Sequence, residues 1–188
     1  HFASGAIEEF KSVNEYDVVI SNAAIQWCSQ HKNLLGKIVG GLKLGGELAI
    51  QMPYNFDYIT HTLAESEIKR MFPDFKLRGN PMASLEEYTY WLYQLGLRDL
   101  NCFIKVYVHE LSSKQDVFEW VKGTLLTHYE KQLSLDEFKK YCSNYREKLE
   151  QSLSDERPFF YPFKRIFLYG KKTKAVSYTH LTLPTKRI

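Results

Sequence analysis

The chain has 188 residues, 44% of them apolar and 25% charged, and its 25 Lys and Arg exceed its 22 Asp and Glu by only three. This composition excludes a disordered chain, and no apolar run approaches the roughly 18 residues that a membrane helix needs. A charge of +3 is too small to indicate nucleic-acid binding by itself. Three scattered cysteines fit neither a disulfide framework nor a zinc site, which favours a cytoplasmic protein.

The first part of the chain predicts a strand–helix–strand unit. The β-branched run Asp17–Ser21 is typical of a strand buried on both faces of a parallel sheet. Apolar residues at helical spacing predict a helix over Asn33–Leu42, and Leu44–Gly46 then turns the chain into a strand over Glu47–Met52. Because the unit spans about 35 residues, we expect a parallel crossover.

After Pro53 the sequence predicts two helices, a strand, two helices that begin at capping boxes, and a last strand. These elements are Ile59–Phe72, Leu85–Leu95, Phe103–Leu111, the helices that begin at Ser113 and Ser134, and Phe163–Tyr169. The last two strands can pair antiparallel. The predicted fold class is α/β, parallel first and antiparallel at its C-terminal end.

Both ends of the sequence differ from the middle. Residues 175–188 are rich in Thr and lack acidic residues, so we expect a non-native tail there and leave it out of the fold. Phe2–Ile7 predicts the end of a strand with its outgoing loop. Nothing before Asp17 can supply the first strand and nucleotide loop of a doubly wound sheet, so we expect the chain to lack its first strands.

Two strand ends offer polar groups to a ligand. In open α/β sheets ligands bind beyond the carboxyl ends of the strands, which here lead into Asn22–Trp27 and Gln51–Asn55. Both segments supply amides and aromatic edges rather than acids and bases, so they can position a ligand but cannot by themselves transfer protons. Trp27 could instead anchor the core, and Asn22 could be a turn residue.

Other chemistries find no matching pattern in the sequence. The histidines show no HxxxH or HExxH spacing, so no metal site is expected. No Ser or Cys lies in a nucleophile elbow. The glycine pairs Gly40-Gly41 and Gly45-Gly46 fit a helix-to-strand turn better than a phosphate loop, and the lysine pairs fit a solvated surface.

Several segments, taken together, match a known pattern. The run DVVISNAAIQW (Asp17–Trp27) and the turn Leu44–Leu48 resemble the fourth-strand exit and the turn into strand five of class I S-adenosylmethionine-dependent methyltransferases. Further segments, in the same order, are similar to trans-aconitate methyltransferases. These are ELAIQMP with His61 after it, the strand that ends in His109, Glu119–Thr124, and Phe163–Phe167.

This resemblance implies a Rossmann-like, doubly wound, mostly parallel sheet with helical insertions and a C-terminal antiparallel strand pair. Residues 1–172 would be the C-terminal two-thirds of a methyltransferase domain, with a helical substrate lid within 78–151 that includes the helices around Tyr88–Leu95 and Trp120–Tyr145. The family's glycine-rich loop and ribose-binding acid have no counterpart here, so we expect this chain by itself to bind the donor poorly and to be inactive. Since the family's first strand lies beside its fourth, we also expect Asp17–Ser21 to be an exposed apolar edge.

Two positions depart from the family. Its acid after strand three corresponds to Ala6, and its FPR motif reads Phe163-Lys164-Arg165, which keeps the Arg and loses the Pro. The contact of the donor's adenine at Ala6 is therefore expected to be weaker or made by the backbone.

The activity implied is methyl transfer from S-adenosylmethionine to a carboxylate of a small organic acid, trans-aconitate above all. An ionised carboxylate needs no base, so the protein must position it, exclude water and hold the other carboxylates with cationic groups. The positions that would flank the donor are Asn22, Ala23, Gln26 and Trp27. Those that would bind the acceptor are Arg165, whose planar fork suits a carboxylate, and then Tyr107, His109, Trp120 and Lys122.

Alternatives stay open at this point. Tyr107 and Trp120 could be core residues, and Lys122 and Arg165 could be solvated. The pattern SNxxxQWC, which begins at Ser21, is shared with the malonyl-acyl-carrier-protein methyltransferases of biotin synthesis. In a different class, the chain could be a non-functional fragment of a nucleotide-binding oxidoreductase. Besides the small acid, neither nucleic acid nor membrane is expected as a partner, and the complete protein is expected to be a monomer.

Overall fold

The computed structural model describes residues 4–77, 79 and 82–174, and its strands form one mixed sheet. The strand order is β1-β2-β4-β3. Strands β1 and β2 are parallel, whereas β4 is antiparallel to both β2 and β3, so three of the four strands run in the same direction. The strands are β1 (Tyr16–Asn22), β2 (Leu42–Pro53), β3 (Leu97–Leu111) and β4 (Phe159–Lys172). This arrangement confirms the predicted α/β class and the antiparallel last pair.

Helices connect the strands. They are α1 (His31–Gly41), α2 (Ile59–Met71), α3 (Leu85–Gln94), α4 (Gln115–Lys122), α5 (Thr127–Glu130) and α6 (Leu135–Ser152). No helix in the described part of the chain is long and apolar enough to cross a membrane. The prediction of a strand end over Phe2–Ile7 is wrong in its described portion, since residues 4–6 are irregular and Ile7–Glu9 is a short 3-10 helix. The predicted tail, residues 175–188, lies outside the described residues.

The three later strands are longer than the sequence pattern predicts. Strand β2 begins at Leu42 because the predicted turn is a bulge within the strand, opposite an irregularity between Tyr16 and Val18. Gly45 has a φ of +83°, and a Cβ on Gly46 would lie 3.0 Å from two backbone oxygens, so both positions require glycine. Strand pairing therefore extends each of these strands beyond the segment that local alternation predicts.

The two predicted capping boxes have different outcomes. At α6, the Ser134 side chain accepts from the Glu137 backbone N–H and the Glu137 carboxylate accepts from the Ser134 backbone N–H, as predicted. At α4 the prediction is wrong, because the Ser113 hydroxyl donates to Asp116 instead of accepting from its backbone N–H. Asp is one methylene shorter than the Glu or Gln of a capping box.

One face of the sheet is covered by α1 and α3. The inward residues of β2 and β4, such as Leu48 and Ile166, pack there against α1 and against Tyr88 and Leu92 of α3. Helix α3, which was expected to form part of a lid over the ligand, packs on this face. Its apolar residues face the sheet, so their burial anchors the helix there.

A second core lies next to the carboxyl end of β3 and the amino end of β4. Helices α2, α4, α5 and α6 pack there around buried aromatic residues, including Tyr161 of β4. The hydroxyl groups of Tyr141 and Tyr145 on α6 donate to the backbone oxygens of Ala64 and Thr60 on α2, at 3.0 and 2.9 Å. These bonds satisfy both buried hydroxyls and hold the two helices together.

Strand β1 forms one edge of the described sheet. Its side chains Val18 and Ile20 are 52% and 73% exposed, which confirms the predicted exposed apolar edge. They point to the face of the sheet opposite α1 and α3, and this open face carries the cavity described next.

Candidate functional site

A cavity of about 540 Å³ lies on the open face, towards the carboxyl ends of β1, β2 and β3. All four strands contribute to it, because alternate residues of a strand point to the same face. Its lining residues are Ile20–Asn22, Ala49–Gln51, Asn101, Phe103, Tyr107, His109, Arg165 and Phe167–Tyr169. The cavity therefore extends along the open face to the carboxyl ends of β1, β2 and β3, the end of the sheet at which ligands bind in open α/β folds.

Strand register places four of these residues in one row across the sheet. Asn22 is paired with Gln51, Gln51 with Phe167, and Phe167 with Phe103. The rings of Phe103 and Phe167 are stacked, with their centroids 5.0 Å apart and 11° between their planes. The row thus has two amide side chains, on β1 and β2, at one end and two stacked aromatic rings, on β4 and β3, at the other.

Arg165 provides the positive charge next to this row. Its Nη1 donates a hydrogen bond of 3.0 Å to Oε1 of Gln51. The guanidinium carbon lies 5.2 Å from the ring centroid of Phe163 and 5.7 Å from that of Tyr107, distances at which an aromatic face attracts a cation. No carboxylate of the described residues forms an ion pair with Arg165. The half-buried guanidinium is therefore free to bind an anion.

Lys164, the next residue, has a different role. It points away from the cavity face and its Nζ binds Asp57 at 2.5 Å. Lys164 occupies the position that corresponds to the Pro of the FPR motif in the resemblance described above. The positive charge of Lys164 therefore lies outside the cavity.

His109 and Trp120 lie at the end of the cavity nearest the helical core. Their ring centroids are 4.6 Å apart, and Phe163 lies 5.8 Å from His109. Trp120, on α4, is 41% exposed and touches the cavity through His109. Lys122 is exposed at the end of α4 and does not line the cavity.

The segment after β1 is held in an unusual backbone conformation. Ala23 has a φ of +51°, a region that residues with a side chain seldom adopt. Its N–H donates to the Gln51 backbone oxygen at 2.9 Å, and its own oxygen accepts from Gln26 Nε2 at 2.8 Å. Gln26 Oε1 is buried and has no hydrogen-bond partner within the described residues. Trp27 is 59% exposed rather than a core anchor.

A neutral pair supports this segment from behind. His31, at the start of α1, is buried and shares a hydrogen bond between Nδ1 and the hydroxyl of Tyr88. Burial lowers the pKa of His31 below its usual value and raises the pKa of Tyr88 to about 12. Both groups are therefore uncharged at neutral pH and add no charge to the site.

The structure brings together four of the predicted residues, Asn22, Tyr107, His109 and Arg165, in one cavity. Ala23, Gln26 and Trp27 follow at the adjoining end of β1, Trp120 lies behind His109, and Lys122 stays apart. No three His, Cys, Asp or Glu side chains of the described residues group together so that they could hold a metal ion.

Most of the lining residues were not among the predicted site residues, and the row across the sheet includes three of these, Gln51, Phe103 and Phe167. For Phe103 and Phe167 the signal is the two-residue alternation of β3 and β4, which places them on the same face as Tyr107 and Arg165. Gln51 begins the segment Gln51–Asn55, which was predicted to offer polar groups to a ligand. Assigning that face to the site required the order of the strands.

The chain is similar to proteins of one kind. It is 32% identical to the trans-aconitate 2-methyltransferase of Deinococcus radiodurans over 179 residues, which cover 91% of this chain and 68% of that protein. It is 30% identical to the trans-aconitate 2-methyltransferase of Enterobacter sp. (strain 638) over 174 residues, again 91% of this chain and 68% of that protein. The chain thus spans about two thirds of the length of these relatives. No model of a known protein family matches it.

Among solved structures, the chain resembles a candidate methyltransferase, BH2331, from Bacillus halodurans C-125. The TM-score is 0.52 at 14% identity, and the match covers 92% of this chain and 77% of that one. At this level of identity the likeness concerns the fold alone.

Proposed function

The chain belongs to the family of S-adenosylmethionine-dependent methyltransferases that includes the trans-aconitate 2-methyltransferases, and we propose that its cavity binds a small tricarboxylic acid as the methyl acceptor, with trans-aconitate as the first candidate. The curated relatives act, by their names, on trans-aconitate. The cavity on the open face is the proposed acceptor site, and the segment after β1 is the proposed donor site.

The observation that carries this proposal is the state of Arg165. Its guanidinium is held by one neutral hydrogen bond, flanked by two aromatic rings and left without an acidic partner in the described chain. A fixed planar fork of donors matches a carboxylate. A tricarboxylate can bind Arg165 with one carboxylate and present another for methylation.

Aromatic walls favour the same substrate. The stacked rings of Phe103 and Phe167 offer a flat apolar surface beside the arginine, which suits the planar unsaturated carbon skeleton of trans-aconitate. Few acids or bases line the cavity, and the reaction needs none, because an ionised carboxylate is itself the nucleophile. Positioning and exclusion of water are then the main contributions of the protein.

The segment after β1 fits the donor. The exposed Trp27 ring is a surface for a flat base. Asn22 adds an exposed amide on the cavity side. When bound, S-adenosylmethionine supplies a methyl group that its sulfonium already activates.

Substitution of Arg165 tests the acceptor site. We expect trans-aconitate to bind the 188-residue chain in isothermal titration calorimetry, and Arg165→Met to weaken binding by at least about tenfold, since it removes a charge-assisted bond. Arg165→Lys should bind with intermediate affinity, because a point charge keeps the attraction but loses the bidentate geometry.

Arg157→Met, which removes an exposed arginine outside the cavity, is the matched control and should bind as the parent does. Equal affinity of Arg165→Met and the parent would contradict the proposed acceptor site. Binding of malonyl thioesters with no binding of trans-aconitate would contradict the proposed substrate.

A further inference from the structure

Gln51 makes two contacts that join the halves of the proposed site. Its backbone oxygen accepts from the Ala23 N–H at 2.9 Å, in the proposed donor segment. Its side-chain oxygen accepts from Arg165 Nη1 at 3.0 Å, in the proposed acceptor site. Gln51 is thus hydrogen bonded both to the segment after β1 and to Arg165.

The orientation of the Gln51 amide is set by Arg165. Arginine has donors only, so the amide must present its oxygen to the guanidinium, and its NH₂ group must then point elsewhere. In that orientation Nε2 is buried and has no partner among the described residues. A buried donor without a partner destabilises a fold. The charge-assisted bond from Arg165 to Oε1 offsets this cost. The amide is therefore oriented by Arg165, although Nε2 is left without a partner among the described residues.

The position of Gln51 makes this bond possible. It lies on β2, whose neighbours are β1 on one side and β4 on the other, and its partners in register are Asn22 and Phe167. Arg165 is paired with Pro53, one step along the same face. A side chain of glutamine length reaches this diagonal neighbour, whose Cβ is about 7–8 Å away in such a sheet.

We propose that Gln51 is a positioning residue for the acceptor: it fixes the guanidinium of Arg165 relative to the segment after β1, so that a carboxylate bound to Arg165 is held in line with the donor. This inference rests on the proposed function. It assigns to a neutral residue a role in binding an anion, and it explains why this position holds an amide and not a carboxylate, which would neutralise Arg165.

Two substitutions separate this role from a merely structural one. Gln51→Met has a similar size and removes the acceptor for Arg165, so we expect trans-aconitate to bind about tenfold more weakly. Gln51→Glu keeps the shape and forms an ion pair with Arg165, so we expect a higher melting temperature together with binding at least about a hundredfold weaker at low salt. The Gln51→Glu variant tests whether a charge at this position reaches Arg165, and the Gln51→Met variant tests whether the neutral amide positions it.

The dependence on Arg165 is the second readout. In an Arg165→Met background, Gln51→Met should change the affinity by less than about twofold, because the two residues act as one unit. Gln151→Met, on the exposed side of α6, is the matched control for the chemical change and should leave binding unaltered. All variants are measured by calorimetry on the full 188-residue chain.

The outcomes distinguish the inference from the proposed function. If Arg165→Met leaves binding unchanged, the acceptor site itself is misplaced. If Arg165→Met weakens binding but Gln51→Met binds like the parent, the acceptor site stands and the role of Gln51 is overturned, whatever the affinity of Gln51→Glu. Equal effects of Gln51→Met with and without Arg165 would also overturn it.

Discussion

His61, in the first turn of α2, shows how burial changes the charge of one residue. Burial lowers its pKa from 6.5 to about 4, although the nearby Asp57 acts in the opposite direction. Its Nδ1 lies 3.1 Å from the Thr60 hydroxyl, so the neutral ring has a hydrogen-bond partner. His61 is therefore neutral at pH 7. It follows β2 in the sequence and does not line the acceptor cavity.

A pH dependence of stability follows from the pKa of His61. Between pH 6.5 and pH 4 the unfolded chain binds a proton at this residue and the folded chain does not, so stability falls as pH falls through this window. We expect His61→Gln to remove up to about 3 kcal/mol of this loss. Denaturant unfolding of both proteins at pH 7.5 and pH 4.5 measures it.

The same loss of stability in His61→Gln and in the parent between the two pH values would contradict a neutral, buried His61.

The two predicted capping boxes show how far a local pattern determines an element. Ser113 and Ser134 each begin a Ser-x-x-acid pattern, but the acid three residues later is Asp116 in the first and Glu137 in the second. The reciprocal bonds form at Ser134, where the side-chain oxygen accepts from a backbone N–H that the helix leaves unpaired. At Ser113 the backbone N–H and the hydroxyl both donate to Asp116.

The two serines should therefore respond differently to the same substitution. We expect Ser134→Ala to lower the free energy of unfolding by about 1 kcal/mol, and Ser113→Ala to lower it by only about a few tenths, because the backbone bond to Asp116 remains. Thermal or urea unfolding of the two variants measures the difference. Equal losses would show that the Ser134 cap adds nothing beyond a surface hydroxyl.

At the scale of the whole molecule, the two faces of the sheet are unequal. Helices α1 and α3 cover one face, whereas the other carries the cavity and, on its β1 side, exposed apolar side chains. An edge strand with exposed apolar residues is a template for association. Val18 and Ile20, at 52% and 73% exposure, are the clearest examples on β1.

We expect the 188-residue chain to self-associate through this side of the sheet, and Ile20→Lys to weaken the association. Light scattering over a range of protein concentrations measures it, and the midpoint should move to a concentration at least about tenfold higher, since a charge at an edge opposes pairing. Val13→Lys, which places the same charge on a residue that is 79% exposed outside the sheet, is the control. Identical association of the parent and Ile20→Lys would contradict this prediction.

The sequence by itself determined the local features: the strand at Asp17–Ser21, the start of α6 at Ser134, the end of α3 before Gly96, and the family resemblance in Asp17–Trp27. Each depends on burial or hydrogen bonding among residues a few positions apart. The relatives found among curated proteins confirm the resemblance.

Only the tertiary structure decided which of these residues meet. Gln51 and Arg165 are 114 positions apart, and their contact depends on β4 lying between β2 and β3, an order that no local pattern encodes. The same order lengthened β3 and β4 beyond their apolar runs and placed α3 on the covered face. This strand order brings the residues that line the cavity together and places Arg165 among them, where no carboxylate of the described residues pairs with it.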